Sequence, residues 1–176
     1  MSPVGQQDLS CLPDLFPVPD PRLAPAPRPA GPHAQDGASV SILYIEDNPA
    51  NVEVISRFLR GRPNTRLRSE QYGRVGIEYA VREMPDLILL DLHLPDLHGD
   101  QVLNELKAEP ATAAIPVVVL SADASDGVIR RLLASGAHAY LTKPVELAEL
   151  GELLDTFAAA QAQDQQALTT VPIMPA

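Results

Sequence analysis

The stretch Pro85-Asp86-Leu87-Ile88-Leu89-Leu90-Asp91-Leu92-His93-Leu94-Pro95-Asp96 constrains the fold of this chain more than any other. Its apolar run, Leu87 to Leu92 broken only at Asp91, is short and lacks helical spacing. Such a run predicts a strand covered on both faces, as in the middle of a parallel sheet. Asp91 then closes the strand, and Pro95 and Gly99 turn the chain away. Ligands of open α/β sheets bind outside the carboxyl ends of the strands. A turn accounts for one Asp at such a place. The other strand ends of this chain supply the reason to read more into it.

Around this strand the pattern alternates. Ser41 to Ile45 is a first strand ending in Glu46-Asp47-Asn48-Pro49, and Asn48 or Pro49 starts a helix whose Val52, Ile55, Phe58 and Leu59 recur at helical spacing until Gly61. Thr65 to Ser69 is a less apolar second strand, suited to an edge. Gly73 to Glu83 is a second helix, with Val75, Tyr79 and Ala80 or Val81 expected inward, closed before Pro85. After the central strand come a third helix at Asp100 to Ala108 and a fourth strand at Ile115 to Leu120, which leads to Ser121. A fourth helix spans Asp126 to Ser135 with Gly136 past its end. Ala137 to Leu141 is a fifth strand leading into Thr142-Lys143-Pro144. Glu146 to about Ala160 is a fifth helix with Leu147, Leu150, Leu153, Leu154 and Phe157 as its buried stripe.

Strands and helices that alternate in this way demand a parallel sheet with right-handed crossovers and helices on both faces. The predicted class is doubly wound α/β, a (βα)5 domain over residues 40–158. Residues 1–39 hold nine of the 18 prolines, a composition that favours a disordered or polyproline leader. Residues 159–176 are expected to form a flexible tail. The net charge of −10 argues against a nucleic-acid-binding surface and an anionic membrane face. Cys11 is the sole cysteine, which excludes an intramolecular disulfide and a Cys-rich metal site. Without a membrane-length apolar run or a secretory signal, the expected location is cytoplasmic.

In a parallel sheet the ends carrying Glu46-Asp47, Asp91, Ser121 and Lys143 all point to one edge. Three carboxylates crowded there repel unless positive charge sits between them. Oxygen ligands in a half-open site suit Mg²⁺. Lys143 is one of two lysines in the chain and can pair with an anionic group on Asp91. Metal, lysine and hydroxyl together make a cage for a phosphoryl group, with Asp91 as nucleophile forming an acyl phosphate.

The set Glu46-Asp47, Asp91, Ser121-Ala122 and Lys143-Pro144, in that order, resembles the receiver domain of bacterial two-component response regulators. The resemblance implies a flavodoxin-like sheet of order 2-1-3-4-5. It implies phosphorylation of Asp91 by the phosphohistidine of a sensor histidine kinase or histidine phosphotransfer protein. Asp47, Asp91 and the backbone carbonyl of His93 are then the Mg²⁺ ligands, with Glu46 acting mainly through water. Lys143 contacts the phosphoryl group, and Ser121 and Tyr140 act as switch residues that alter the surface of the fourth helix, fifth strand and fifth helix. A cis Lys143–Pro144 bond is implied as well.

The chain is therefore read as a phospho-accepting signalling domain, not a metabolic enzyme, although it catalyses its own phosphorylation and hydrolysis. About 18 residues follow the fifth helix, too few for an output domain, so a single-domain regulator acting by protein contact is expected. The receiver of a hybrid kinase is a close variant. The downstream target is unknown, and a phosphorylation-dependent homodimer is left open. Two other classes compete: a phosphorylation-independent scaffold, and an aspartyl phosphohydrolase, which would want an acid where His93 stands.

Overall fold

The computed structural model describes residues 40–62 and 64–169, the side chains of 162–169 excepted. The proline-rich segment 1–39 and residues 170–176 lie outside the described residues. Five strands alternate with five helices: β1 (Val40–Ile45), α1 (Pro49–Leu59), β2 (Thr65–Glu70), α2 (Gly73–Glu83), β3 (Leu87–Asp91), α3 (Gly99–Ala108), β4 (Val117–Ser121), α4 (Asp126–Ala134), β5 (Ala139–Thr142) and α5 (Leu147–Thr169). All four strand pairings are parallel, and the sheet order is β2-β1-β3-β4-β5. This is the doubly wound α/β fold that the alternation predicts, with the flavodoxin-like strand order that the resemblance implied.

β3 lies in the centre, and each of its five residues is buried. Alternation along the strands divides the core. Leu43, Ile45, Ile88 and Leu90 pack with residues of α2, α3 and α4. Ile42, Tyr44, Leu87 and Leu89 pack with residues of α1 and α5 on the other face. Asn48 caps α1, its side-chain oxygen accepting from Ala50 N at 2.9 Å, and Pro49 supplies the first helical residue.

Two helices differ from expectation. The buried face of α2 is Gly73, Gly76, Ile77 and Ala80, whereas Val75 and Val81 are exposed and Tyr79 is half-buried. Small residues let the helix lie close to the sheet: a Cβ on Gly76 would meet the side chain of the fully buried Ile45, with Cγ1 at 2.8 Å. In α5, Leu150 and Leu154 are buried and Leu153 and Phe157 half-buried, but Leu147 is exposed. The helix also continues to Thr169, where the sequence pattern placed its end near Ala160. Ala and Gln in this stretch favour helix, and Gln161 Nε2 donates to Asp86 Oδ1 at 3.3 Å.

The loop after β3 is held in three places. Gly99 N donates to Leu92 O at 2.9 Å, His93 and His98 bridge in antiparallel fashion, and Asp96 at the loop's outer end accepts from Gly73 N and Arg74 N at 2.7 and 2.9 Å. Asp96 thereby caps α2 from 23 residues away. Gly99 seals the neck of the loop: an added Cβ would sit 2.6 Å from Leu92 Cα and 2.7 Å from Asp91 O. Those neighbours are backbone atoms and can yield only by moving the strand end. Gly99→Ala is therefore expected to destabilise the domain by about 2 kcal/mol, within the range of overpacked cores. Urea unfolding of wild type and variant checks this; an unchanged midpoint would refute the tight neck.

Candidate functional site

β1 and β3 are neighbours in the sheet and run in the same direction, so the chain after β1 and the last residue of β3 share one edge. One carboxylate oxygen from each of Glu46, Asp47 and Asp91 lies within 4.8 Å of the others. Glu46 is 1% exposed and Asp91 4%, whereas Asp47 faces solvent. Lys143 follows β5 on the far side of β4, and its backbone N donates to Ser121 O at 2.8 Å. From there its ammonium reaches Glu46 Oε2 at 2.7 Å and Asp91 Oδ1 at 3.0 Å. The Lys143–Pro144 bond is cis, as the resemblance implied.

Charge does not balance within this group. Three carboxylates and one ammonium leave an excess of two negative charges. At an effective dielectric of about 20, two unit charges 4.8 Å apart repel by about 3.5 kcal/mol. A hard divalent cation with oxygen ligands offsets that repulsion. Asp91 Oδ1 is buried and, despite its nearness to Lys143, has no well-aligned hydrogen-bond donor. A buried carboxylate oxygen in that state is suited to a cation. The residues present therefore fit Mg²⁺.

Glu46 is in a different condition from the other two acids. Oε2 accepts from Tyr44 Oη at 2.7 Å and from Lys143 Nζ at 2.7 Å, while Oε1 accepts from Asn51 Nδ2 at 3.0 Å and Asn48 N at 3.3 Å. An ionised carboxylate offers about four lone-pair sites, and these four donors fill them. Burial by itself would raise the Glu46 carboxyl, but hydrogen bonds from Lys143, Tyr44 and Asn51 outweigh it and hold it below the ordinary value. Tyr44 is pushed strongly upward, first by burial and then by the Glu46 carboxylate it bonds, so its hydroxyl keeps its proton.

Ser121, the last residue of β4, and Tyr140 of β5 both bond to the loop after β4. Ser121 is fully buried, and its hydroxyl accepts from Asp123 N at 3.2 Å. Tyr140 is half-buried beneath the same loop, donating its hydroxyl to Asp123 O, with Ser121 O at 3.4 Å. His93 is exposed in the loop after Asp91, its ring meeting that of His98 edge-on at 5.9 Å between centroids. A shallow depression of about 330 Å³ at this place is lined by Asp47, His93, Pro95, Asp96 and His98 among others. The sequence reading gave no site role to Tyr44, Asn51 or Asp96, and read Gly99 only as part of the turn. Glu46 directly follows β1 and lies two residues after Tyr44, so in extended backbone the two share a face, a signal present in the sequence. The pairing of Asp96 with α2 left no local signal.

Residues 42–155 match the family pattern described as the response regulator receiver domain. The chain belongs to this family. Receiver domains are modules of two-component signalling, and the relatives found are of that kind. The probable methanogenesis regulatory protein FilR2 of Methanothrix harundinacea is 35% identical over 116 residues, 62% of this chain and 75% of that protein. Response regulator PleD of Caulobacter vibrioides is 35% identical over 115 residues, 61% of this chain but only 24% of that protein. Among solved structures, the receiver domain of sensor histidine kinase PA1611 from Pseudomonas aeruginosa superposes with a TM-score of 0.62 at 34% identity, covering 69% of this chain and 99% of that one. That domain was solved with a magnesium ion coordinated in its active-site cleft.

The Glu46 network predicts an acid response. A carboxyl held below its ordinary value stabilises the fold fully above that value, 4.5 here, and ceases to do so as pH falls through the folded value. Glu46→Gln should cost about 2 kcal/mol near neutral pH in EDTA, less than a fully buried pair because Lys143 retains some solvent. The gap to wild type should close as pH falls below 4.5. A gap that stays constant down to acid unfolding would show that Glu46 is not held as an anion.

Proposed function

We propose that Asp91 is the phosphoryl acceptor of this receiver domain, taking its phosphoryl group from a phosphohistidine on a sensor histidine kinase or histidine phosphotransfer protein. The observation that carries this reading is Asp91 Oδ1, a buried oxygen without an aligned donor, 3.0 Å from Lys143 Nζ and grouped with two further carboxylates. An Asp91 oxygen attacks phosphorus; the new O–P bond forms as the N–P bond breaks, and the electron pair departs with the imidazole nitrogen. Hydrolysis later returns the carboxylate and inorganic phosphate. The domain thus turns over only its own phosphoryl group.

Asp47, Asp91 and the backbone carbonyl of His93 would hold Mg²⁺. When bound, the ion supplies neutralisation of charge on the transferring phosphoryl oxygens. Glu46, with its lone pairs occupied, anchors Lys143 and is not a direct ligand. Lys143 swings the short distance to the phosphoryl group. Ser121 gives up the hydrogen bond it accepts from Asp123 N and turns its hydroxyl to donate to a phosphoryl oxygen, and Tyr140, hydrogen-bonded under the same loop, follows that movement. The β4–α4 loop is thereby coupled to the surface of α4, β5 and α5, a two-state element biased by a new charge. The output is contact with a downstream protein. The reading places the domain in the cytoplasm; among the described residues no helix is long and apolar enough to cross a membrane.

Intact mass after incubation with Mg²⁺ and a small acyl-phosphate donor tests the reading. Wild type should gain one phosphoryl group, with no gain in Asp91→Asn or in EDTA. No gain in either protein, with Mg²⁺ binding demonstrated, would favour a phosphate-independent scaffold.

A further inference from the structure

We infer that Tyr44 is a positioning residue for phosphorylation: its hydroxyl keeps Glu46 hydrogen-bonded when Lys143 leaves that carboxylate for the phosphoryl group. The inference rests on the reading of Asp91 as acceptor, and goes beyond it by assigning a role to a residue that touches neither metal nor phosphate. Tyr44 lies in β1, 0% exposed, and its side chain enters the core facing α1 and α5. Its Oη and Lys143 Nζ share one oxygen, Glu46 Oε2, each at 2.7 Å. Asn51 Nδ2 and Asn48 N hold the other oxygen.

The geometry sets a conflict for Lys143. Its ammonium is aligned on Glu46 Oε2 and lies close to Asp91 Oδ1 without a well-aligned bond to it. To serve a phosphoryl group on Asp91 it must give up, wholly or in part, a carboxylate that is 1% exposed. A buried anion stripped of a donor is costly, because no water replaces what is lost. Tyr44 makes the exchange cheaper: with its hydroxyl in place, Oε2 retains a short bond in either position of the lysine. A Phe ring of the same shape would pack equally well but leave Oε2 bare at the moment Lys143 moves. A hydrogen-bond role for core packing alone would not distinguish those two moments.

Tyr44→Phe separates the roles, since it removes one oxygen atom and no packing surface. At saturating Mg²⁺ its rate of phosphorylation by a small acyl-phosphate donor should fall about 10-fold, the scale of one hydrogen bond to a charged group. Its Mg²⁺ affinity, titrated separately, should stay within about twofold, because Tyr44 holds no oxygen of Asp47 or Asp91. In a Lys143→Ala background, Tyr44→Phe should add no further loss of rate, since the movement it assists no longer occurs. Asn51→Ala, at a half-buried position of α1, weakens the same carboxylate from its other oxygen and should show the same split. It keeps the test decisive should Tyr44→Phe fail to fold. An unchanged rate in the folded variants, an equal loss in the Lys143→Ala background, or a parallel loss of Mg²⁺ affinity would overturn the inference. If wild type itself gains no phosphoryl group, the acceptor reading falls and the inference with it; if only the variant behaves as wild type, the inference alone falls.

Discussion

The site depends on carboxylates being gathered where water is scarce and positive charge is short. Glu46 and Asp91 are nearly inaccessible, Asp47 adds a third negative group, and among the described residues Lys143 is the cation that reaches both buried acids. Such a group would be unstable in a freely adjusting loop, because the side chains would turn outward to water. It persists here because each member stands on or beside a strand whose direction the parallel sheet fixes. The excess of negative charge is then a property of the fold, available for a cation and a phosphoryl group.

The scaffold makes that placement rigid by unequal means on its two sides. Towards α2 and α3, small residues bring helices and loop close. Gly76 lies against Ile45, Gly99 lies against the backbone of Asp91 and Leu92, and Asp96 ties the loop to the start of α2. Towards α1 and α5, polar atoms enter the core instead: Tyr44 and Asn51 bond Glu46, and Glu46 holds Lys143. Beyond β4, Ser121 and Tyr140 are bonded to exposed Asp123 of the following loop.

Most of this was legible in the sequence, for identifiable reasons. The Leu87–Asp91 strand declared itself because a strand buried on both faces must be apolar throughout, and a carboxylate at its end stands out. Asn48-Pro49 marked the start of α1 because cap and first-turn chemistry are local. The inward face of α2 was read correctly only at Ala80: hydrophobicity also pointed to Val75 and Val81, whereas close packing selected Gly76 against Ile45 and Gly73 against Val102 and the loop after β3. Leu147 was misassigned at a helix start, where the pattern has no preceding turn to fix its phase, and α5 outran its apolar stripe because Ala and Gln sustain a helix without one. The grouping of Glu46, Asp47, Asp91 and Lys143 followed from parallel topology. The saturation of Glu46 did not, since it depends on side-chain directions from β1, α1 and the chain after β5 at once.

The acidic cluster is electrostatically strained until a cation joins it. The most direct test is thermal unfolding of wild type and Asp47→Asn, each in EDTA and in millimolar Mg²⁺. Asp47 is exposed, so its replacement disturbs no packing. The account predicts that the variant melts above wild type in EDTA, having lost one repelling charge. Mg²⁺ should then raise wild type and leave the variant nearly unmoved. A variant that melts below wild type in EDTA, or a wild type indifferent to Mg²⁺, would contradict it.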